Sequence, residues 1–139
     1  MREMLELGEK EAALAIAAIR EELVRRGKVA VIAVADGHGE LVSLLRMDGA
    51  PVPCVLVATN KVWTSARERS TSGELGQAYQ RNGWQMANSD PRYTGWQGGV
   101  PVRHRGQVVG AVAVSGLEQE EDEELARLGV TKIVQEVGE

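Results

Sequence analysis

The stretch VIAVADGHGELVSLLRMDGA, residues 31–50, contains two apolar runs on either side of a glycine-rich turn. The first run, Val29 to Ala35, is apolar at odd and at even positions, which is typical of a central strand covered on both faces. The turn Asp36-Gly37-His38-Gly39 suits a chain reversal, because glycine adopts positive φ and aspartate can bond nearby backbone. The second run, Leu41 to Met47, is therefore predicted to pair antiparallel with the first.

A second hairpin is predicted downstream. Val100 to His104 and Gln107 to Ser115 flank the turn Arg105-Gly106. The second of these runs ends in VVGAVAVSG, which is again apolar on both faces, and its small residues indicate that another element packs closely against it. The sequence therefore predicts a second central strand.

Helical periodicity accounts for much of the remaining chain. It predicts helices over residues 3–26, from Pro53 to about Arg69, and over residues 119–137. The segment Thr71-Ser72-Gly73-Glu74 resembles a capping box for a short helix to about Arg81. A C-terminal strand, IVQEV, remains an alternative to the last helix. Antiparallel hairpins with helices on both faces favour an α+β domain of three layers.

Length and composition limit the classes of protein. A chain of 139 residues predicts a single domain over residues 1–139. The formal net charge of -4 disfavours a nucleic-acid partner. No apolar run is long enough to span a membrane, and the acidic N-terminus does not fit a signal peptide. With one cysteine, Cys54, no disulfide can form within the chain, and we expect a cytoplasmic protein.

The end of the second predicted strand carries a possible anion site. Arg46 and Asp48 stand at this end, and Lys61 lies off the apolar stripe of the next helix. The two cations are predicted to converge on one anionic group of a ligand, with Asp48 orienting Arg46. If the protein is an enzyme, these three are the candidate catalytic residues. The alternative is a structural Arg46–Asp48 pair that closes the strand.

Glycine, serine and aromatic residues could complete such a site. Successive amides at Gly98-Gly99 can form an anion-binding nest. Ser115 offers a hydroxyl, although a helix-capping role is favoured. The tryptophans could wall a flat apolar ligand, or they could anchor the loop or cover an oligomer interface. The candidate ligand-binding residues are Asp36, Arg46, Lys61, Trp63, Trp96, Gly98, Gly99 and Ser115.

The two histidines are the candidate metal ligands. His38 and His104 both stand in or near turns, and a neutral imidazole could bind a metal or a haem iron. The alternative is a solvated turn residue in each case. No HxxxH, CxxC or HxH pattern occurs, so the spacing disfavours a zinc site within one chain.

Five segments together resemble a known family. They are residues 31–50, Ala58 to Lys61 with Thr64 and Ala66, GGVPV at 98–102, VVGAVAVSG at 108–116 and EQEEDEELARLGV at 118–130. The chain resembles the GlcG/HbpS-like family, often called haem-degrading, which includes the C-terminal domain of some corrinoid adenosyltransferases.

The resemblance implies a profilin-like fold with about five antiparallel strands, the fifth near Arg92 to Trp96. It also implies assembly into dimers or larger rings, and some members bind haem or lie in catabolic operons. We therefore expect a homo-oligomer that binds haem, another tetrapyrrole or a related anionic ligand near the RMDG strand end and the GGVP turn. The usual turn histidine is displaced to His38, so we expect modest haem affinity. The alternative is a cofactor-free enzyme acting on an organic acid, with Arg46 and Lys61 holding its carboxylate.

Overall fold

The computed structural model describes residues 1–138, without the side chain of Ala87. Four α-helices, four strands and one 3-10 turn occur in this part of the chain. In chain order they are α1 (Glu9–Arg26), β1 (Val31–Asp36), β2 (Leu41–Arg46), α2 (Cys54–Glu68), α3 (Ser72–Asn82), the 3-10 turn Met86–Asn88, β3 (Gly99–His104), β4 (Gln107–Ser115) and α4 (Gln119–Val137).

The strands form one antiparallel sheet in the order β2-β1-β4-β3. The two runs that are apolar on both faces are its central strands, β1 and β4, as the sequence predicts. The predicted number of five strands is wrong, since residues 1–138 contribute four. Residues 92–96 contain no strand, and here a backbone amide bonds a side chain: Thr94 N donates to Thr64 Oγ1 over 3.1 Å.

Alternate residues of the central strands enter two different cores. On one face the branched residues Ile32, Val34, Val112 and Val114 pack against α1 and α4. On the other face the small residues Ala33, Ala35, Ala111 and Ala113 pack against α2. Small side chains let α2 approach closely, which is why this side of the sheet is alanine-rich. The α+β class with helices on both faces is confirmed.

The helix boundaries follow local bonds. Helix α1 begins at Glu9, not at residue 3, because Gly8 N donates to the Glu11 carboxylate over 2.9 Å. Just before Gly8 the chain is instead bonded to β4, since Leu7 N donates to Val109 O over 2.8 Å. The predicted cap of α3 is confirmed, since Thr71 Oγ1 accepts from Glu74 N over 3.1 Å.

Helix α4 continues to Val137, so the alternative of a C-terminal strand is wrong. Gly129 allows it to pack closely on α1, because a Cβ atom there would lie 2.6 Å from Ile19 Cδ1. Ion pairs strengthen the contact: Arg26 binds Glu121 over 2.9 Å and also contacts Glu124. Arg25 and Arg26 hold the pKa of Glu22 at about 2. Within residues 1–138 we find no helix long and apolar enough to cross a membrane.

Candidate functional site

The sheet separates the candidate residues into two groups. At one end lie Arg46 and Ser115, which both pair with Val31, and the start of β3 at Gly99. We call this the Gly98 end. Asp36 ends β1 and His104 ends β3 at the opposite end, which we call the His38 end. Six residues of strand span about 17 Å. Either histidine is therefore too far from the Gly98 end to share one small ligand group with it.

Lys61 lies inside the protein at the Gly98 end. Its side chain is 1% exposed, and its Nζ donates to Val114 O over 2.9 Å and to Asp122 Oδ2 over 3.2 Å. Asp122, in the first turns of α4, is 2% exposed and also accepts from Leu117 N over 3.1 Å. This buried pair joins α2 to α4 around the end of the sheet. Lys61 is thus occupied by a protein carboxylate.

Burial opposes both charges of this pair. It lowers the pKa of Lys61 and raises the pKa of Asp122, because each charged group loses its hydration. The attraction between the two groups and their hydrogen bond act in the opposite direction. Each charge therefore depends on its partner, since either one alone would be buried without compensation.

Gly98 and Gly99 make room for α2. A Cβ atom at Gly98 would lie 2.6 Å from Lys61 Nζ, and one at Gly99 would lie 2.5 Å from Ser65 Oγ. The Gly99 amide is also occupied, because it donates to Ser72 Oγ over 3.0 Å. The glycine pair therefore has a packing role here, whereas the sequence suggested an anion-binding nest.

Arg46 and Asp48 are both exposed. Among the described residues neither takes part in an ion pair, so the structure does not contain the Arg46–Asp48 pair that was the structural alternative. Arg46 stands on the edge strand β2, whereas Gly99 begins the opposite edge strand β3. Three strand spacings, about 14 Å, separate these edges. The guanidinium of Arg46 is thus available, but not beside the Gly98-Gly99 turn.

Ser115 is buried at the end of β4 and does not cap the following helix. The residue at the cap position of α4 is Glu118, and its side chain makes no capping bond. The capping role that the sequence favoured for Ser115 is therefore wrong. The entry to the helix is bonded at Leu117 instead, whose backbone N donates to Asp122 Oδ1 over 3.1 Å.

Two exposed tryptophans form the walls of an open groove just before Gly98. Trp84 and Trp96 are 59% and 58% exposed, although the chain has no Phe and few other aromatics. The groove has a volume of about 490 Å³. Its lining residues come from α3, the loop that follows it and the start of α4: Gly73, Gly76, Gln77, Tyr79, Gln80, Trp84, Met86, Gly95, Trp96, Gln97 and Gln119.

Backbone bonds fix the Trp96 side of this groove. Ser72 Oγ donates to Trp96 O over 2.6 Å, and Gln97 N donates to Gln119 Oε1 over 2.9 Å. Gly76 of α3 packs directly on Gly95, because a Cβ atom added at Gly76 would lie 2.4 Å from the Gly95 carbonyl oxygen. The Trp96 ring is therefore exposed on a backbone that is already ordered.

Trp63 does not belong to this groove. It is 4% exposed and lies in α2, with the guanidinium of Arg92 4.2 Å and that of Arg67 4.9 Å from its ring. Tyr93 meets it edge-on at 4.8 Å. Of the two predicted tryptophans, Trp96 lines a surface where a ligand could bind and Trp63 anchors the 92–96 segment.

The His38 end contains a cluster that sequence spacing does not reveal. Glu6 of the N-terminal segment lies 2.6 Å from His38 Nδ1, and Asp36 accepts from the backbone of His38 over 2.9 Å. Ligand atoms of these three residues lie within 4.8 Å of one another, so they could hold a metal ion. His104 is separate from them, with its Nδ1 2.7 Å from Gly138 O.

The arrangement of the core can be compared with known families. The family model described as haem degrading protein HbpS-like matches residues 7–131, which include the whole sheet. The chain belongs to the HbpS-like family. Protein GlcG of Escherichia coli K12 is 35% identical to this family member over 116 residues, which cover 83% of this chain and 85% of GlcG.

Solved structures of the family share the fold. Protein ORFY of Klebsiella pneumoniae matches with a TM-score of 0.88 and 28% identity, covering 96% of this chain and 94% of that protein. A double mutant of HbpS from Streptomyces reticuli matches with a TM-score of 0.86 and 26% identity, covering 94% and 89% of the two chains.

Proposed function

We propose that this HbpS-like protein binds a flat, largely apolar ligand, haem or a related tetrapyrrole, in the groove of Trp84 and Trp96. The exposure of these two indole rings carries the proposal, since contact of large aromatic surfaces with water is unfavourable and a ligand that covers them gains free energy. The volume of about 490 Å³ lies in the range of small-molecule sites. The family description, haem degrading, supports this class of ligand.

The groove fits the macrocycle of a tetrapyrrole better than it fits its iron or its carboxylates. The indole rings offer stacking surfaces, Met86 offers a polarisable sulfur, and several glutamines offer amide groups at the rim. Among the described residues that line it there is no histidine and no cationic side chain. We therefore expect micromolar rather than nanomolar affinity, and we assign no reaction at the iron to this site.

A titration with haemin tests the proposal. We expect a saturable change in haem absorbance with the wild-type protein, at micromolar concentration. The double substitution Trp84→Ala and Trp96→Ala should weaken binding at least tenfold, because each aromatic contact contributes about 0.5–1.5 kcal/mol beyond its buried area. Absorbance is the suitable signal, since these substitutions also change the protein's fluorescence.

Two further variants locate the site. His38→Ala should leave the affinity unchanged, because His38 lies at the opposite end of the sheet. Arg46→Ala should also leave the haem affinity nearly unchanged, because Arg46 stands on β2, the edge of the sheet that is distant from this groove. Loss of haem binding in His38→Ala together with normal binding by the tryptophan variant would place the haem at the His38 end and refute the groove.

A second candidate function is a cofactor-free enzyme acting on an organic acid. The lowered pKa of Lys61 favours it, because burial prepares a lysine for proton transfer. In this proposal Arg46 holds the substrate carboxylate and Asp48 orients Arg46. Lys61 moves the proton after the ion pair between Lys61 and Asp122 opens. The buried hydroxyl of Ser65, which has no hydrogen-bond partner among the described residues, would lie beside the reacting group.

We also propose that the chain forms a homo-oligomer, a dimer of dimers or a larger ring. Strand β2 is an edge of the sheet, and an edge strand has unpaired backbone groups that can pair with a second copy. Val52 and Leu56 are exposed apolar residues that follow it in the chain. Light scattering at micromolar concentration should give a mass several times 15.0 kDa. A mass of one chain at all concentrations would contradict this.

A further inference from the structure

Arginines from three separate parts of the chain meet at the His38 end. Arg2, Arg69 and Arg103 line a groove of about 570 Å³, and a smaller groove of about 200 Å³ is lined by Arg2, Arg67 and Arg69. The two grooves share Arg2, Met4 and Arg69, so they form one continuous surface that we call the arginine groove. None of these residues lines the groove of Trp84 and Trp96.

These four guanidinium groups form no ion pairs within residues 1–138. In the part of the chain that the structure describes, no Asp or Glu oxygen forms an ion pair with Arg2, Arg67, Arg69 or Arg103, although other arginines form such pairs. Three acids are nearby: Glu3 lines the larger part, Glu6 lies against His38 Nδ1, and Asp36 accepts from the backbone of His38. Asp90 also interacts with Arg67, but it is paired with Arg92. The groove therefore has more arginines than nearby unpaired acids, although the whole chain has a formal net charge of -4. An anion between the guanidiniums would relieve their mutual repulsion.

Backbone contacts hold two of these side chains in position. Arg103 donates from Nη2 to Arg69 O over 2.7 Å, and Arg67 donates from Nη1 to His38 O over 3.1 Å. A guanidinium has five N–H donors, so each of these bonds leaves others free for a ligand. Arg67 and Arg103 are thus held in position by backbone oxygens and not by a carboxylate of the described residues.

A purely structural role explains only part of this arrangement. Cations near the end of α2 are favourable because the C-terminal end of a helix carries partial negative charge. That account does not explain Arg69 itself, whose φ of 57° is in the left-handed region where glycine is preferred. It also does not explain Arg2, which reaches the groove from the N-terminal segment.

We propose that the arginine groove binds a small ligand with at least two negative charges, either a phosphoryl group or a pair of carboxylates. Arginine matches both groups because its planar fork donates two parallel hydrogen bonds. The groove volume is that of a small-molecule site. A nucleic acid is disfavoured, since the net charge of the chain repels an extended polyanion.

Calorimetric titration with inorganic pyrophosphate and, separately, with succinate tests this proposal at a constant ionic strength set by sodium chloride. We expect the wild-type protein to bind one of the two in a saturable manner. Binding of pyrophosphate alone identifies a phosphoryl ligand, and binding of succinate alone identifies a dicarboxylate. Arg103→Gln should weaken the binding at least tenfold.

The decisive variant is Arg69→Gly. Glycine relieves the left-handed backbone, so the melting temperature should rise, whereas loss of the guanidinium should weaken binding at least tenfold. Arg105→Gly is the matched control, because Arg105 is also an arginine with positive φ, 52°, and does not line the groove. It should bind like the wild type. Absence of saturable binding of both anions, or equal affinity in Arg69→Gly and Arg105→Gly, would overturn the proposal.

Discussion

Replacement of Lys61 by Met should destabilise the protein by about 3–5 kcal/mol, which is the usual cost of removing one partner of a buried ion pair. Asp122 would remain 2% exposed, and its Oδ2 would lose the Lys61 ammonium. Val114 O would lose the same donor. Urea denaturation followed by circular dichroism measures the change in the free energy of unfolding.

Two controls separate this effect from a general loss of charge. Arg127→Ala removes one partner of an exposed pair with Glu123, 3.2 Å apart, and should change the stability by less than about 1 kcal/mol. The double substitution Lys61→Met and Asp122→Leu should recover most of the lost stability, because neither charge then remains buried alone. A cost of under about 1 kcal/mol for Lys61→Met would show that Asp122 finds water or another donor.

The same double variant distinguishes the two candidate functions. If the protein only binds a flat ligand, the double variant should retain wild-type haem affinity, because neither Lys61 nor Asp122 lines the groove of Trp84 and Trp96. If Lys61 moves a proton in a reaction, turnover of the organic acid should be lost in the double variant even though the stability has recovered. Stability, haem affinity and turnover of an organic acid, measured on the same variant, therefore test the role of the buried pair.

The fold was largely predictable because its central strands carry a local signal. Residues 31–35 and 108–114 are apolar on both faces, and each stands beside a glycine-containing turn. Such a pattern requires burial on two sides and so identifies the middle of a sheet. The fifth strand near residues 92–96 came from the family resemblance, and no alternation of apolar residues supports it. Its backbone is bonded by Thr64 instead, a contact that the sequence does not reveal.

The site was less predictable because its contacts are long-range. The sequence indicated Lys61 as a candidate site residue. Its partner Asp122 is 61 residues away and stands among several acids at the start of α4, so the pair was not predictable. Glu6 and His38 meet only because the N-terminal segment crosses the end of the sheet. Arg69 and Arg103 likewise come together through the tertiary fold. The spacing of residues along the chain does not reveal such long-range contacts.

Gly76→Ala is expected to impair haem binding and stability together, although helix propensity alone predicts the opposite. Alanine is favoured over glycine inside a helix by about 1 kcal/mol. Here, however, the new Cβ atom would lie 2.4 Å from Gly95 O and 2.7 Å from Gly95 Cα, which are backbone atoms. Overpacking of this kind costs about 1–3 kcal/mol. Relief requires residues 93–97 to move away from α3, and this movement displaces the Trp96 ring.

Gly129→Ala provides the matched comparison, since it is the same change inside another helix. Its Cβ atom would meet Ile19 Cδ1 at 2.6 Å, the far end of a side chain that can rotate, so the loss of stability should be smaller. Haem affinity should be unchanged in Gly129→Ala and reduced at least tenfold in Gly76→Ala, as measured by the haem absorbance titration. If Gly76→Ala is destabilised but binds haem normally, the groove of Trp84 and Trp96 is not the haem site, because the position of Trp96 depends on the contact between Gly76 and Gly95.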